Sequence, residues 1–322
     1  MVHTPTRKDP VAVLGAGVVG LSTAILAQEA GHQVTLYSDL PWSATTSTRA
    51  AASFKPHKVI YNDLAHRMCH LSWDHFARVM RDFAFEDHGL RMHTHWEASN
   101  VNQELPRYAE VVNSFELVEG PGVPGGYRIG WRYDTWFIDI SVYLPWLAAV
   151  FEQRGGTLEL LPAPLRNLSD LAGLPAPIVF NCSGLGARLM CPDPLVVAMK
   201  GQVILTRPIP GMDWSISADR FYIYPRRHDT VIGGTAERDV YSDHVDPGVV
   251  DLLISGNRRI LPELNESWII GSYSGLRPYR DESIRLESEQ VEGKLIVHNY
   301  GHGGAGVTLS WGSAELALAL IR

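Results

Sequence analysis

Three glycines near the start of the chain have the spacing of a phosphate-binding turn. They lie in "GAGVVG", at Gly15, Gly17 and Gly20, between a short apolar run and a helix-like segment. The first glycine permits a tight turn, the second lets a pyrophosphate reach the backbone, and the third lets helix and strand pack closely. Asp39 follows near the spacing at which a carboxylate binds an adenosine ribose, although a solvated turn acid is the alternative. The pattern predicts a dinucleotide site without separating FAD from NAD.

A second group of residues has side chains that could bind an anionic or polar ligand. In "FYIYP", Tyr222 and Tyr224 fall on one face of a strand, which indicates either a packed sheet surface or a pocket wall. The segment "GLRPYRDESIRLE" contains three arginines, and most such arginines are solvated surface charges. Arg277 stands beside a proline in a stiff, otherwise apolar stretch. It is therefore the arginine that could offer a bidentate fork to a carboxylate.

Other reactive side chains are better explained as structural residues. His298 and His302, in "IVHNYGHGGAGVTLSWG", have neither metal-binding spacing nor an evident carboxylate partner, so hydrogen-bonded structural roles are predicted. Cys182 has no neighbouring His to lower its thiol pKa, which favours a buried apolar role. The same C-terminal stretch predicts a second helix N-terminus near Gly304 to Gly306, which could stabilise negative charge on a bound ring system.

The elements that must position these residues are of two kinds. Residues 11–37 read as strand, glycine turn, helix and strand, and residues 141–190 repeat the α/β pattern. Between residues 201 and 235 the strands alternate apolar and polar residues, which is typical of an antiparallel sheet with one buried face. Because the α/β signals flank the sheet signals, we predict two domains that are each discontinuous in sequence.

Composition excludes several classes of protein. The chain has 322 residues, 45% of them hydrophobic and 20% charged, which is ordinary for a globular protein. Its formal charge of −7 and the lack of a basic block argue against nucleic-acid binding. Three cysteines without CxxC spacing indicate neither a disulfide framework nor a metal site. The N-terminal "MVHTPTRKDP" lacks a signal-peptide core and no segment could span a membrane, so a cytoplasmic location is predicted.

Taken together, the motifs resemble those of the D-amino-acid oxidase family, flavoenzymes that share a fold with glycine and sarcosine oxidases. The matching segments, in order along the chain, are "VAVLGAGVVGLSTA", "ATTSTRAAASFKP", "VFNCSGLGA", "KGQVILT", "FYIYP", "VIGGT", "SGLRPYRDESIRLE" and "IVHNYGHGGAGVTLSWG". The resemblance implies a Rossmann-like FAD-binding α/β domain and a second, largely antiparallel β domain that binds substrate. We place the FAD-binding domain at residues 1–56, 144–200 and 286–322, and the substrate domain at 57–143 and 201–285.

The resemblance also assigns roles to positions that match the family. Arg277 would pair with the substrate carboxylate and Tyr222 would hydrogen-bond the same group. The helix N-terminus near Gly304 would stabilise the negative charge that develops on the flavin ring. The implied FAD-binding residues are Gly15, Ala16, Gly17, Val18, Val19, Gly20, Asp39, Thr45, Thr46, Ser47, Ala51, Ser53, Leu165, Ser183, Gly303, Gly304, Gly306 and Thr308. The implied activity is oxidation of a D-amino acid to a 2-oxo acid, ammonia and hydrogen peroxide, with hydride transfer to flavin N5.

Several positions depart from the family pattern and leave the substrate open. Ala218 stands where a second active-site Tyr is common, Tyr224 replaces an aliphatic residue, and Ala305 replaces an aromatic one. Together with Ser53, these departures lead us to expect a substrate pocket formed by Ser53, Lys55, Ala218 and Tyr224. Lys55 could favour acidic substrates, or it could extend into solvent. An oxidase for acidic, secondary or cyclic amino acids, and a dehydrogenase with another acceptor, remain alternatives, and a homodimer is an open alternative for the oligomeric state.

Overall fold

The computed structural model describes residues 9–84 and 86–321. The first eight residues, which bear on the signal-peptide prediction, lie outside this part of the chain. Among the residues described, no helix combines the length and the apolar character that crossing a membrane requires. The strands are β1 (Val11–Leu14), β2 (Val34–Ser38), β3 (Leu90–Ser99), β4 (Asn113–Glu119), β5 (Ile129–Ile138), β6 (Thr157–Leu160), β7 (Ile178–Asn181), β8 (Val196–Thr206), β9 (Ser215–Ala218), β10 (Phe221–Pro225), β11 (Thr230–Gly233), β12 (Glu237–Arg238), β13 (Ile269–Arg280), β14 (Arg285–Val291) and β15 (Lys294–Tyr300). The α-helices are α1 (Val18–Glu29), α2 (Asp63–Asp82), α3 (Ile140–Gln153), α4 (Leu168–Ala172), α5 (Ala187–Met190), α6 (Pro247–Asn257) and α7 (Gly306–Ala319).

The first sheet has the order β14-β15-β7-β1-β2-β6. All its neighbouring strands run parallel except β14, which pairs antiparallel with β15 at one edge. The predicted strand–helix–strand unit at its centre is confirmed as β1, α1 and β2. Helix α1 begins at Val18 rather than at about Leu21, where the apolar run predicts its start, because the extended backbone of Gly17 forms its N-cap directly after the turn.

The second sheet is larger and almost wholly antiparallel. Its strands follow the order β12-β8-β11-β10-β9-β3-β5-β4, and β13 pairs along the length of β8. Only the β3–β9 pair is parallel among the strand pairs of this sheet in the described residues. The predicted fold class, a Rossmann-like α/β unit beside a largely antiparallel β unit, is thus confirmed. The domain boundaries stay a prediction, and β8 continues across the one placed at residue 200.

The C-terminal helix α7 is part of the core beside the first sheet. Helix α7 packs against α1 and α2, and it is buried on nearly all sides, as is typical of a central helix. At Gly312 the approach to α2 is so close that a Cβ would lie 2.0 Å from the carbonyl oxygen of Met68. The C-terminal helix therefore belongs to the core, and it brings its N-terminus back to the end of β1.

Candidate active site

A cavity of about 880 Å³ collects residues from both sheets. The turn after β1 forms one end, while β8, β10 and β13 of the second sheet contribute another part of the wall. The start of α7 and the segment around residues 45–58 complete it. This volume lies in the range expected for cofactor and ligand sites, and the carboxyl end of a parallel strand is their usual place in open α/β sheets.

The glycine turn is shaped by close backbone approach. Gly15 has a φ of +107°, and a Cβ there would lie 2.5 Å from the carbonyl oxygen of Cys182 on the neighbouring strand. Gly20 is packed even more tightly, since its Cβ would lie 1.8 Å from the carbonyl oxygen of Gly15. Gly20 does not line the cavity, and its tight packing lets α1 approach the turn; its contact with the cofactor stays a prediction.

The remaining residues predicted to bind the cofactor lie in the cavity wall. They are Gly15, Ala16, Gly17, Val18, Val19, Asp39, Thr45, Thr46, Ser47, Ala51, Ser53, Leu165, Ser183, Gly303, Gly304, Gly306 and Thr308. Segments from four distant parts of the chain therefore meet around one volume. Their roles toward a cofactor remain predictions, while their common location is a property of the fold.

Polar atoms in this wall show that the cavity suits a large polar ligand. Ser53 Oγ, Asn299 Oδ1 and His302 Nε2 are buried and have no hydrogen-bond partner among the described residues. A buried polar atom without a partner is costly, so each of these atoms is one that a ligand would satisfy. Together with the glycine turn at the N-terminus of α1, they fit a dinucleotide with an extended ring system.

Arg277 and Tyr222 meet in the same cavity although they lie on different strands. A Cβ at Gly201 would lie 2.1 Å from the Arg277 guanidinium, and one at Gly233 would lie 2.1 Å from the Tyr222 ring. These glycines in β8 and β11 leave the space that both side chains occupy. Burial raises the pKa of Tyr222, and a hydrogen bond with Arg277 partly opposes that rise.

The guanidinium of Arg277 has only neutral partners. Its Nη1 donates to the carbonyl oxygen of Thr235 at 3.1 Å. Across residues 9–84 and 86–321, no carboxylate lies within ion-pair distance of Arg277. A partly buried guanidinium with donors left over is suited to a bidentate interaction with a ligand carboxylate.

Tyr224 lies beside Tyr222, as the strand period predicted, with the two ring centroids 4.8 Å apart. Its hydroxyl is 3.1 Å from Ser217 Oγ, which in turn is 3.2 Å from Nε2 of the buried His95. Burial raises the pKa of Tyr224, so the phenol stays protonated. The Tyr224 hydroxyl is therefore held by Ser217. Tyr224 contributes its aromatic ring, and not a free hydrogen-bond donor, to the cavity wall.

Lys55 lies in the cavity wall and is paired with a buried carboxylate. Its Nζ is 2.6 Å from Glu97 Oε2, and each side chain is 14% exposed. Glu97 also accepts hydrogen bonds from Tyr133, at 2.6 Å, and from Tyr108. Burial alone would raise the pKa of Glu97, but the Lys55 charge and these hydrogen bonds hold it below its usual value. The alternative that Lys55 extends into solvent is thus wrong, and its charge is balanced.

The start of α7 closes the far side of the cavity, next to the segment that carries Lys55. Thr308 Oγ1 donates to the carbonyl oxygen of Lys55 at 3.1 Å, and the Gly304 amide donates to that of Lys58, also at 3.1 Å. His57 lies against Gly304 and was missed in the sequence. Burial and then Arg277, Lys55 and Lys58 lower the pKa of His57 to about 3, so it is neutral at pH 7.

Other predictions for single residues have mixed outcomes. Ala218 is buried and does not line the cavity, so its place in the substrate pocket stays a prediction without support from the cavity wall. Its neighbour Ser217 lines the cavity, since adjacent strand residues face opposite sides. Ala305 is likewise buried outside the wall. His298 is structural, as predicted, because it bonds Asn181 and Glu289 at 3.1 and 2.7 Å.

His302 and Cys182 also need separate comment. His302 is buried, and burial lowers its pKa to about 4, but it lies in the cavity wall with a free Nε2 rather than in a closed hydrogen-bond network. Its purely structural role therefore stays a prediction. Burial raises the pKa of Cys182 to about 12, which favours the thiol over the nucleophilic thiolate and supports the structural role that the sequence predicts.

Comparison with known proteins identifies the class to which this site belongs. The family model described as "FAD dependent oxidoreductase" matches residues 10–320. A D-amino-acid oxidase of Rubrobacter xylanophilus is 36% identical, with 96% of this chain and 94% of that protein covered. Human D-aspartate oxidase is 31% identical, with 97% and 94% covered. Glycine oxidase from Geobacillus kaustophilus has the same fold, with a TM-score of 0.80 at 19% identity and coverage of 98% and 95%.

The chain therefore belongs to the D-amino-acid oxidase family of FAD-dependent oxidoreductases. It is an enzyme, and its cofactor is FAD, which the glycine turn and the unsatisfied polar atoms of the cavity fit.

Proposed function

We propose that this enzyme oxidises a D-amino acid with oxygen as the electron acceptor, giving a 2-oxo acid, ammonia and hydrogen peroxide. The observation that carries the proposal is the position of Arg277, a guanidinium without a carboxylate partner in the described structure, beside Tyr222. Both side chains line the cavity that begins at the Gly15 turn. A substrate with an α-carboxylate would complete the hydrogen bonding of this pair next to the cofactor site.

The side chains contribute binding and orientation to the reaction. Arg277 binds the α-carboxylate, and Tyr222 donates its hydroxyl proton to the same group, so the substrate α-carbon is held in one place. Bound FAD supplies the electron acceptor for the α-carbon hydride. The N-terminus of α7, with the Gly304 region before it, directs its positive dipole end at the cavity, where negative charge develops during the reaction.

The charge balance of the pocket bears on the substrate side chain. The Lys55 position supports the hypothesis that it faces the substrate, but Glu97 neutralises it within the same wall. We therefore favour a D-amino acid with a neutral side chain. An acidic D-amino acid is the second candidate, because one relative is a D-aspartate oxidase and because Lys55 keeps two further N–H donors.

A panel of D-amino acids tests this function directly. We expect peroxide to form with neutral D-amino acids in air and not with their L-enantiomers. Dye reduction without peroxide would show a dehydrogenase instead, and failure of both reactions across the panel would refute the proposal.

Substitution of Arg277 tests whether its guanidinium binds the substrate carboxylate. Arg277→Ala should raise KM for every α-carboxylate substrate by at least about tenfold, since it removes a charge-assisted interaction. Arg207→Ala is the matched control, because Arg207 is exposed and does not line the cavity. If both variants behave like the unmodified enzyme while FAD absorbance is retained, Arg277 does not bind the substrate.

A further inference from the structure

Two histidines and a glutamate form a cluster outside the cavity. His66 and His70 are one turn apart on α2, and Glu110 ends the short 3-10 helix Arg107–Glu110. The Glu110 Oε1 atom is 2.7 Å from His66 Nε2 and 3.5 Å from His70 Nε2. One ligand atom from each of the three residues lies within 4.8 Å of the others. None of the three lines the cavity, so the proposed oxidation makes no use of them.

The fold holds both sides of this cluster in place. Asn62 caps α2 through the Ala65 amide at 3.0 Å, and the adjoining face of the helix, with Ala65 and Cys69, is buried in the core. On the other side, the buried Tyr108 anchors the 3-10 helix by a hydrogen bond to Glu97. The backbone positions of the three residues are therefore held by the fold, and the Glu110 side chain is 65% exposed.

A neighbouring hydroxyl orients the first histidine. Tyr61 Oη is 3.1 Å from His66 Nδ1, and it can accept the proton of that nitrogen. In this tautomer the Nε2 lone pair is available to a metal ion, which would replace the proton that the 2.7 Å contact between Nε2 and Glu110 Oε1 otherwise requires. Metal-binding histidines usually have such a partner on their second nitrogen, which fixes the ring and its tautomer.

We propose that His66, His70 and Glu110 bind a divalent transition-metal ion, with Zn²⁺ as the physiological choice of this ligand set. Two imidazoles four residues apart on a helix and one carboxylate supply three ligands, and water supplies the fourth position of a tetrahedron. The bound ion clamps the start of α2 to the Arg107–Glu110 turn. Mg²⁺ and Ca²⁺ do not bind, because they prefer all-oxygen sites.

Calorimetry on the intact FAD-loaded enzyme tests the site. Any affinity tag is removed, and the protein is treated with EDTA and dialysed before titration with ZnCl₂ or MgCl₂. We expect one equivalent of Zn²⁺ to bind and no Mg²⁺, and Zn²⁺ should raise Tm because it binds only the folded form.

Variants of exposed ligands separate this site from adventitious binding. His70→Gln and Glu110→Gln should each weaken Zn²⁺ binding by at least about tenfold. Even the loss of a residue that only hydrogen-bonds a metal ligand lowers metal affinity about 10–100-fold. His228→Gln is the control, because His228 is exposed and belongs to no three-residue cluster in the described structure. Absence of a Zn²⁺ equivalent, or equal affinity in all three variants, would overturn the proposal. Peroxide formation by His70→Gln is expected to be unchanged, so the two proposals can fail independently.

Discussion

The buried Lys55–Glu97 pair provides a direct test of how this pocket is built. The two side chains are mostly buried, and Glu97 keeps hydrogen bonds from two tyrosines when Lys55 is removed. Lys55→Met therefore leaves a carboxylate without its counter-charge in a poorly solvated place. We expect this variant to lose much more stability than the loss of one hydrogen bond would explain.

The expected magnitudes follow from the surroundings of the pair. Removing one partner of a buried ion pair costs about 3–5 kcal/mol, and the remaining tyrosine donors place the present case near the lower end, at about 3 kcal/mol. In the double variant Lys55→Met/Glu97→Gln no charge is left, so we expect a loss of only about 1 kcal/mol relative to the unmodified enzyme. The double variant should thus be more stable than Lys55→Met alone.

Urea unfolding followed by tryptophan fluorescence measures these differences, with constant m-values as the check on two-state behaviour. The control is the Arg132–Glu116 pair on neighbouring strands, whose side chains are 48% and 50% exposed. Breaking that pair should cost less than about 1 kcal/mol, with little coupling between its partners. If Lys55→Met and the double variant are equally unstable, the two residues are not coupled and the argument for a balanced pocket is refuted.

Three further predictions follow from single contacts. Glu97→Gln frees the Lys55 charge, so kcat/KM for D-aspartate relative to D-alanine should rise by about tenfold in a peroxide assay; an unchanged ratio would mean that Lys55 does not face the substrate. Gly312→Ala should lower stability by about 1–3 kcal/mol in thermal unfolding, because its Cβ would overlap the α2 backbone, and no change would contradict the close packing. Burial lowers the pKa of His93 from 6.5 to about 3, so the unfolded chain binds more protons between these values. Stability should therefore fall as pH drops through that window, and His93→Gln should reduce the slope measured by urea unfolding at several pH values.

Local sequence patterns were sufficient for the central strand–helix–strand unit of the first sheet, whereas most of the residues predicted to bind the cofactor came from the family resemblance. A short apolar run followed by Gly15 and a helix-like segment specifies β1 and α1, since each residue constrains only near neighbours. The period of two correctly placed Tyr222 and Tyr224 on one strand face. The same period, applied to β9, would have placed Ser217 rather than Ala218 in the pocket, but the strand was not recognised from its short sequence.

Contacts between distant strands could not be derived in this way. Glu97 approaches Lys55 because β3 pairs with β5 and β5 is bridged to Ser53 through Phe137, and this register depends on the whole sheet. Lys55 itself is visible in the sequence, whereas its counter-charge is not. The sequence therefore left open whether Lys55 favours acidic substrates, and the structure pairs its charge with Glu97.

Two glycines in the strands of the second sheet could have predicted, from the sequence, the space that Arg277 and Tyr222 occupy. Gly201 lies inside β8 and Gly233 ends β11, and a glycine in a strand weakens it unless another group needs the space. In the structure that group is the guanidinium at Gly201 and the phenol ring at Gly233. Replacing either glycine by alanine would force Arg277 or Tyr222 to move while leaving the ligand-binding atoms chemically intact. Substrate KM should therefore rise in Gly201→Ala and Gly233→Ala just as in variants of the side chains themselves, and a normal KM in both would show that the positions of these two side chains do not matter for binding.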